Sequence, residues 1–391
     1  MKIAIVGGGA AGLFCAANLP SNDVTIFEAT NSCGNKLLLT GGGRCNYTNL
    51  SANFFDGIVD GQKFLRSSIS SFGPNELIKW FKGHGLGSHT EGTRAFPITQ
   101  SSKSVLALLA KLCKQNNVKF SFGCRVESIN LKEYGKYEIL GQEFDAVVVA
   151  TGGKTFAKTG SDGSGNKLLN QLGIRTNEFS AKLGALYLKG TSELQGVSLT
   201  AGLSAISNNK VTAKVCGSVV FTHFGLSGPA ALDLSALADC CDAVQVDFLP
   251  NKTAEELKNA LAEARNCGTK QKVGTFFSQF LPKSVARFVS KEVSDKFVNE
   301  LSNKQINLLL DFVKNHKFEF LHFSSFNQSW VSAGGAILNQ INPTNMQTKA
   351  HKNLFVIGEQ LDVFGLCGGY NLQIAFSTAK AAADYLEGVA K

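Results

Sequence analysis

The chain has 391 residues, 44% of them hydrophobic and 18% charged, which excludes a disordered polymer and allows two or three domains with sizeable cores. Its net charge is +9, and residues 1–125 carry 13 Lys+Arg against 6 Asp+Glu, a field that attracts anionic ligands. No apolar run approaches the roughly eighteen residues of a membrane span. No dense basic run interleaved with aromatics marks a nucleic-acid surface, so neither a membrane nor a nucleic acid is an expected partner.

Ten cysteines stand at irregular spacing, without a C-x-x-C pair or a Cys/His cluster of metal-ligand type. Because a strand-like segment starts at Lys2, where a leader would sit, they read as reduced thiols of a cytoplasmic protein without a metal site. The 40 glycines gather in runs at 7–9, 41–43, 152–153 and 368–369, as loops that bring bare backbone to a ligand would require. The sequence carries no sign of its oligomeric state.

Lys2-Ile-Ala-Ile-Val-Gly7 reads as a short buried strand closed by glycine. Gly7-Gly8-Gly9-Ala10-Ala11-Gly12 follows as G-x-G-x-x-G, and Leu13–Leu19 continues with small and apolar residues suited to a helix on a sheet. A second β-rich run, Asp23–Phe27, ends in Glu28. Gly7 permits the tight turn, Gly9 lets a pyrophosphate approach the backbone, and Gly12 lets helix and strand pack closely. The helix opening at Ala10 and Ala11 offers free N–H groups and a positive dipole end to a diphosphate. Glu28, expected as an exposed acid at the strand tip, can accept hydrogen bonds from ribose hydroxyls. Strand, glycines, helix, strand and acid in this register make a dinucleotide-binding unit. Which dinucleotide it takes is open at this point.

Beyond Glu28, Asn35-Lys36-Leu-Leu-Leu-Thr40-Gly41-Gly42-Gly43-Arg44-Cys45-Asn46 sets a flexible bend and polar groups one loop past the adenosine end; an ordinary glycine loop is the alternative. Helices are expected over Phe64–Gly83 and Ser101–Asn116, the second capped by Ser101 or Ser102. Lys119–Ile129 and Tyr137–Leu140 read as strands. Asp145-Ala-Val-Val-Val-Ala150 is a further buried strand, and Thr151-Gly152-Gly153 closes it at the carboxyl edge of a parallel sheet, where ligands bind.

From Leu183 the character changes. Val197, Leu199, Ala201, Leu203 and Ala205 alternate as in a half-buried strand, and Val211–Val215, Val219–Thr222 and Val244–Phe248 are strand-like too. Thr253–Lys317 reads as helical, opened by a Thr253/Glu256 capping box, with apolar faces at Val285/Phe288/Val289 and Ile306–Val313. Residues 183–325 are thus an expected insertion, β over about 183–250 and helical over about 251–325. It divides a domain made of 1–182 and 326–391.

Asn353–Ile357 is again a buried strand, ending in Gly358-Glu359. Gly368-Gly369-Tyr370-Asn371-Leu372-Gln373 then opens a small-residue helix, a second anion- or dipole-binding end, unless it is simply a tight turn into a core helix. A discontinuous domain that closes at its C-terminus with a second glycine–helix motif is the plan of FAD proteins; an NAD site needs no such motif. The N-terminus of that helix can partner the charge on N1/O2 of a reduced flavin. Gly160-x-x-Gly163-x-Gly165 lacks a preceding buried strand. NAD(P)H is therefore expected as a transient co-substrate, or the flavin is reduced directly by substrate.

Six stretches together resemble the BaiN-like flavoproteins, the aminoacetone-oxidase family of FAD-binding enzymes. They are residues 4–13 (AIVGGGAAGL), 36–49 (KLLLTGGGRCNYTN), 94–97 (RAFP), 150–165 (ATGGKTFAKTGSDGSG), 221–230 (FTHFGLSGPA) and 358–377 (GEQLDVFGLCGGYNLQIAFS), in order from end to end. The resemblance implies an α/β fold: a discontinuous, glutathione-reductase-like Rossmann domain for FAD with an inserted β-plus-α cap. It adds Lys36, Val126 and Glu359 to the cofactor residues expected from the glycine motifs. Asn35 stands where the family commonly has Arg and Ala157 where Pro is usual, which puts one polar cofactor contact and one local turn in doubt.

The activity expected is hydride transfer between flavin N5 and a small organic substrate. A flavin-dependent tRNA-modifying enzyme and a non-catalytic flavin-binding module are the rivals. Phe221-Thr-His223-Phe-Gly-Leu-Ser-Gly-Pro229 turns a strand through two glycines with one imidazole, which titrates near neutrality and suits acid/base work. Arg44 can hold a substrate anion, and Tyr370 stands beside glycines expected near the ring. His223 and Arg44 are expected to face one pocket between cap and flavin, with a structural, hydrogen-bonded His223 as the alternative. Cys45 and Cys367 read as buried thiols before reactive ones.

Overall fold

Runs of Val, Ile and Phe without polar interruption pair most readily where both sheet faces are covered. Leu354–Val356, Ala146–Val149, Lys2–Val6, Asp23–Glu28 and Lys119–Phe122 lie side by side in that order, and all pairs are parallel. Ile5 sits opposite Val148 on one side and Ile26 on the other. The helix Ala10–Ala17 packs against the C-terminal helix Tyr370–Leu386. Leu354–Val356, near the C-terminus, thus joins a sheet whose other four strands lie within the first 149 residues.

The computed structural model describes residues 1–267 and 270–388. It divides into two compact units, Met1–Lys182 with Phe326–Lys391, and Leu183–Ser325. In the first, the expected Phe64–Gly83 helix is two helices, Gln62–Ser71 and Pro74–Gly83. Pro74 has no N–H to donate and sits in the first turn, where none is needed, while Glu76 accepts the Gly73 N–H. Strand Lys119–Phe122 is shorter than expected, because Gly123 turns off at φ +64°. Ser101 holds the N-cap position of Ser102–Gln115 without a side-chain capping bond, and Ser102 Oγ donates to the Leu38 carbonyl instead.

The second unit is built on a closed antiparallel barrel, in the order Leu186–Leu188, Gly225–Ser227, Lys210–Thr222, Ser198–Ser207, Ala243–Asp247 and His316–Phe323. Three expectations change here. Val211–Val215 and Val219–Thr222 are one continuous strand, Lys210–Thr222. Ser198–Ser207 is buried on both faces from Ala201 to Ile206, since the helix Pro229–Leu237 also packs on it. The helical stretch ends at Asn315, and His316–Phe323 is the strand that closes the barrel. The capping box is as expected: Thr253 Oγ accepts the Glu256 N–H at 3.1 Å, and Glu256 accepts the Thr253 N–H at 2.6 Å, together holding a helix start at about 1 kcal/mol. Leu257, Leu261, Val285, Leu309 and Val313 fill this unit's core.

Candidate functional site

At the carboxyl ends of the parallel strands, the first glycine loop is shaped by what each Cβ would meet. One on Gly12 would lie 2.0 Å from the Gly7 carbonyl oxygen, and one on Gly7 would lie 2.4 Å from that of Ala150. Both positions are closed to larger residues. One on Gly9 would meet nothing within 4 Å, so open space faces the loop at the start of the helix that Ala10 and Ala11 begin.

Glu28 is not the exposed acid expected; it is 7% exposed. Its Oε2 accepts the Gly8 N–H at 2.9 Å, and its Oε1 accepts the Thr30 N–H at 2.8 Å and the Thr30 hydroxyl at 2.7 Å. The chain turns back over the strand end and encloses the carboxylate. Asn35, the departure from the family pattern, ties the same corner by donating to Thr30 Oγ at 2.9 Å. Val126 lies buried just beyond the neighbouring strand Lys119–Phe122.

Lys36 reaches across the sequence to Glu359 at 2.9 Å and donates to Thr155 Oγ at 2.6 Å. Glu359 also accepts the Ser332 N–H at 2.8 Å. A Cβ on Gly153 would lie 2.5 Å from Ser332 Oγ and 2.9 Å from Glu359 Oε1, so the Thr151-Gly152-Gly153 turn is packed directly on this network. Thr151 donates to Gln360 at 2.7 Å. Thr155 and Ser332 were not singled out from sequence; nothing in their surroundings signals a pairing with Lys36 and Glu359.

Gly41, Gly42 and Gly43 all take positive φ, and Gly42 and Gly43 face open space apart from the Leu38 carbonyl at 3.9 Å. Arg44 stacks over Phe96 at 4.3 Å and gives its guanidinium to Gln100 and Glu91. That hydrogen bond holds the Glu91 carboxyl below its usual range. Cys45 is buried at φ +61°, and burial pushes its thiol up to about 12, so it stays protonated and unreactive at neutral pH. Asn46 Oδ1 is buried with no hydrogen-bond partner among the described residues and lies 2.8 Å from the Cβ position of Gly369.

The second glycine motif meets this segment. Gly368 and Gly369, at φ +134° and +100°, lead into Tyr370–Leu386, while Gly358 donates its N–H to Thr378. Tyr370 is a core ring, 4.9 Å from Phe54 and packed against Gly57. Asn371 spends its amide on the Gly365 backbone, and Gln373 is fully buried among Thr48, Phe72 and Ser377. Leu372 is half-buried on the core.

In the second unit, His223 is exposed at the turn between two barrel strands and meets the Phe224 ring edge-on at 5.1 Å. Phe224 stacks on Tyr187 at 4.6 Å, and Tyr187 on His322 at 4.2 Å. This row of rings, drawn from separate barrel strands, has no period in the sequence and was not anticipated.

These features fit FAD: an open approach at Gly9, open glycines at 42 and 43, and a buried acceptor at Asn46 that lacks a donor. The model of the family described as HI0933-like protein Rossmann domain matches residues 1–385. Among curated proteins, the chain is 30% identical to a 3-dehydro-bile acid delta(4,6)-reductase of Clostridium scindens, covering 97% of this chain and 98% of that one. It is 29% identical to a ribosomal RNA dihydrouridine synthase of Haemophilus influenzae, over 97% and 96%. A solved 3-ketosteroid delta1-dehydrogenase of Sterolibacterium denitrificans, in complex with 1,4-androstadiene-3,17-dione, matches with a TM-score of 0.53 at 9% identity over 99% of both chains, a likeness of fold.

Proposed function

The chain belongs to the HI0933-like Rossmann family, one of FAD-dependent oxidoreductases, and from that premise we propose that it reduces a carbon–carbon double bond conjugated to a carbonyl in a flat organic substrate. One observation carries this reading. Two relatives that match along nearly the whole chain are named for different substrates but for one chemistry, addition of hydrogen across a ring double bond.

FAD, when bound, supplies hydride at N5, and NAD(P)H is the proposed reductant. The chain's own residues do the rest. Gly7–Gly12 would take the pyrophosphate, Glu28 the ribose, and the segments 41–46 and 368–373 the ring system, with Asn46 Oδ1 accepting from it. The Lys36–Glu359 pair holds those segments together across the sequence. Hydride added to the carbon β to a carbonyl must be matched by a proton at the α carbon. His223 is the proposed donor of that proton, and the Arg44 guanidinium, held in place by Gln100 and Glu91, is proposed to orient the substrate.

A second reading, reduction of a uridine within RNA, draws on the net charge of +9 and on the dihydrouridine synthase relative. One experiment addresses both. The purified yellow protein is reduced anaerobically and mixed with a conjugated steroid dienone, an rRNA transcript, or oxygen. Reoxidation by the dienone, with a product heavier by two hydrogen atoms, is the expected result; reoxidation by the transcript alone selects the RNA reading. Reoxidation only by oxygen refutes double-bond reduction, and none by any acceptor makes the protein a flavin-binding module.

A further inference from the structure

Glu28 has little left to offer a ribose. A carboxylate presents about four lone-pair directions, and three are used by the Gly8 N–H and the two Thr30 donors. One direction holds one hydroxyl, whereas the adenosine ribose of FAD presents two adjacent ones. The second needs another partner close to the same corner.

Ser161 is placed to be that partner. It is 6% exposed, and its Oγ has no hydrogen-bond partner among the described residues. Its neighbour Gly160 packs on the acid, with a Cβ position 3.3 Å from Glu28 Oε1. On its other side, Ser161 Oγ lies 3.2 Å from the Cβ position of Gly152, in the turn that closes Ala146–Val149. The segment cannot drift away from this corner: Asp162 is held by Arg125 and accepts the Ser164 N–H at 3.0 Å. A buried hydroxyl with neither donor nor acceptor is a costly state that native proteins rarely keep.

We infer that Ser161 is a further cofactor-binding residue, whose hydroxyl pairs with one ribose hydroxyl of the FAD adenosine while Glu28 takes the other. The inference rests on the FAD reading above. It makes two opposite demands on one substitution. Ser161→Ala removes an unsatisfied hydroxyl from the flavin-free protein, which should melt at the same temperature or higher. The same change removes a partner from the loaded protein, and FAD Kd should rise about 2- to 13-fold, the effect of one ordinary hydrogen bond.

The test titrates flavin-stripped wild type, Ser161→Ala and the volume-conserving Ser161→Cys with FAD, ADP, 2′-deoxy-ADP and 3′-deoxy-ADP. ADP should weaken by the same factor as FAD, and with one of the two deoxy nucleotides the variants and wild type should bind alike. Equal FAD affinity in all three proteins would overturn the inference, leaving a buried water as the hydroxyl's partner. So would a penalty that persists undiminished with both deoxy nucleotides. Wild type that takes up no FAD would overturn the flavin reading itself, and this inference with it; that case is told apart because every protein fails alike.

Discussion

Gly9→Ala separates folding from cofactor binding. Gly9 sits at the N-cap of Ala10–Ala17 with φ −78° and ψ −168°, a conformation open to any residue, and a Cβ there meets nothing within 4 Å. The flavin-free protein should change in stability by no more than about 1 kcal/mol, a stiffer unfolded chain set against a poorer cap. The added methyl, however, fills the space through which a pyrophosphate reaches the loop. Overpacking of about 1–3 kcal/mol corresponds to a rise in FAD Kd of roughly 5- to 150-fold. Flavin fluorescence titration of stripped protein gives the affinity, and urea unfolding of the same sample gives the stability. Gly12→Ala is the contrast, because its Cβ would lie 2.0 Å from the Gly7 carbonyl oxygen and the fold itself should fail. A Gly9→Ala protein with wild-type flavin affinity would refute the placement of the pyrophosphate at this loop.

Glu28→Ala strands the buried Gly8 N–H and takes the partner of the half-buried Thr30 N–H, and should lower the stability of flavin-free protein by about 2 kcal/mol; an unchanged urea midpoint would mean that the carboxylate does not hold the loop. His316 is ringed by Phe248, Phe288, Phe312 and Phe318, and burial lowers its pKa. The unfolded chain then binds more protons than the folded one as pH falls below about 6.5, so stability drops in that direction, and His316→Phe should flatten the drop. If the pH slope of the urea midpoint is the same in both proteins, the imidazole is not the cause. His223→Ala removes an exposed ring and should leave stability within about 0.5 kcal/mol. A proton donor lost should slow turnover of a verified substrate about 100-fold or more and reshape its pH profile, and if neither changes the acid/base role is withdrawn.

The first glycine motif was legible because its signals are local. A strand, a turn that only glycine allows at Gly7 and Gly12, and a helix of small residues sit within one short stretch, and the collisions at those two glycines are with neighbours in the same motif or the adjoining strand. The C-terminal glycine–helix start was legible for the same reason. The roles of polar side chains were not. Arg44 reads as an isolated cation, and only the fold brings Glu91 and Gln100 from a hairpin and loop further along to hold its guanidinium. Asn371 and Gln373, expected as cofactor contacts, give their side-chain amides to backbone and core groups that no local pattern announces. His316–Phe323 continues a helical pattern in the sequence, and only its pairing with Ala243–Asp247 and Leu186–Leu188 makes it a strand.

By itself, the order of apolar runs and glycines determined a Rossmann half at the start, a return to it at the end, and a different kind of structure between them. Short-range sterics and burial periodicity decide these matters, and both act within a few residues of chain. Tertiary structure alone decided that Glu28 is enclosed and nearly saturated, that Lys36 finds Glu359 across 323 positions, and that Asn46 and Ser161 keep polar atoms without partners among the described residues. Hydrogen bonding is decided by which groups the fold brings within about 3 Å, and no pattern along the chain encodes a partner that arrives from its other end.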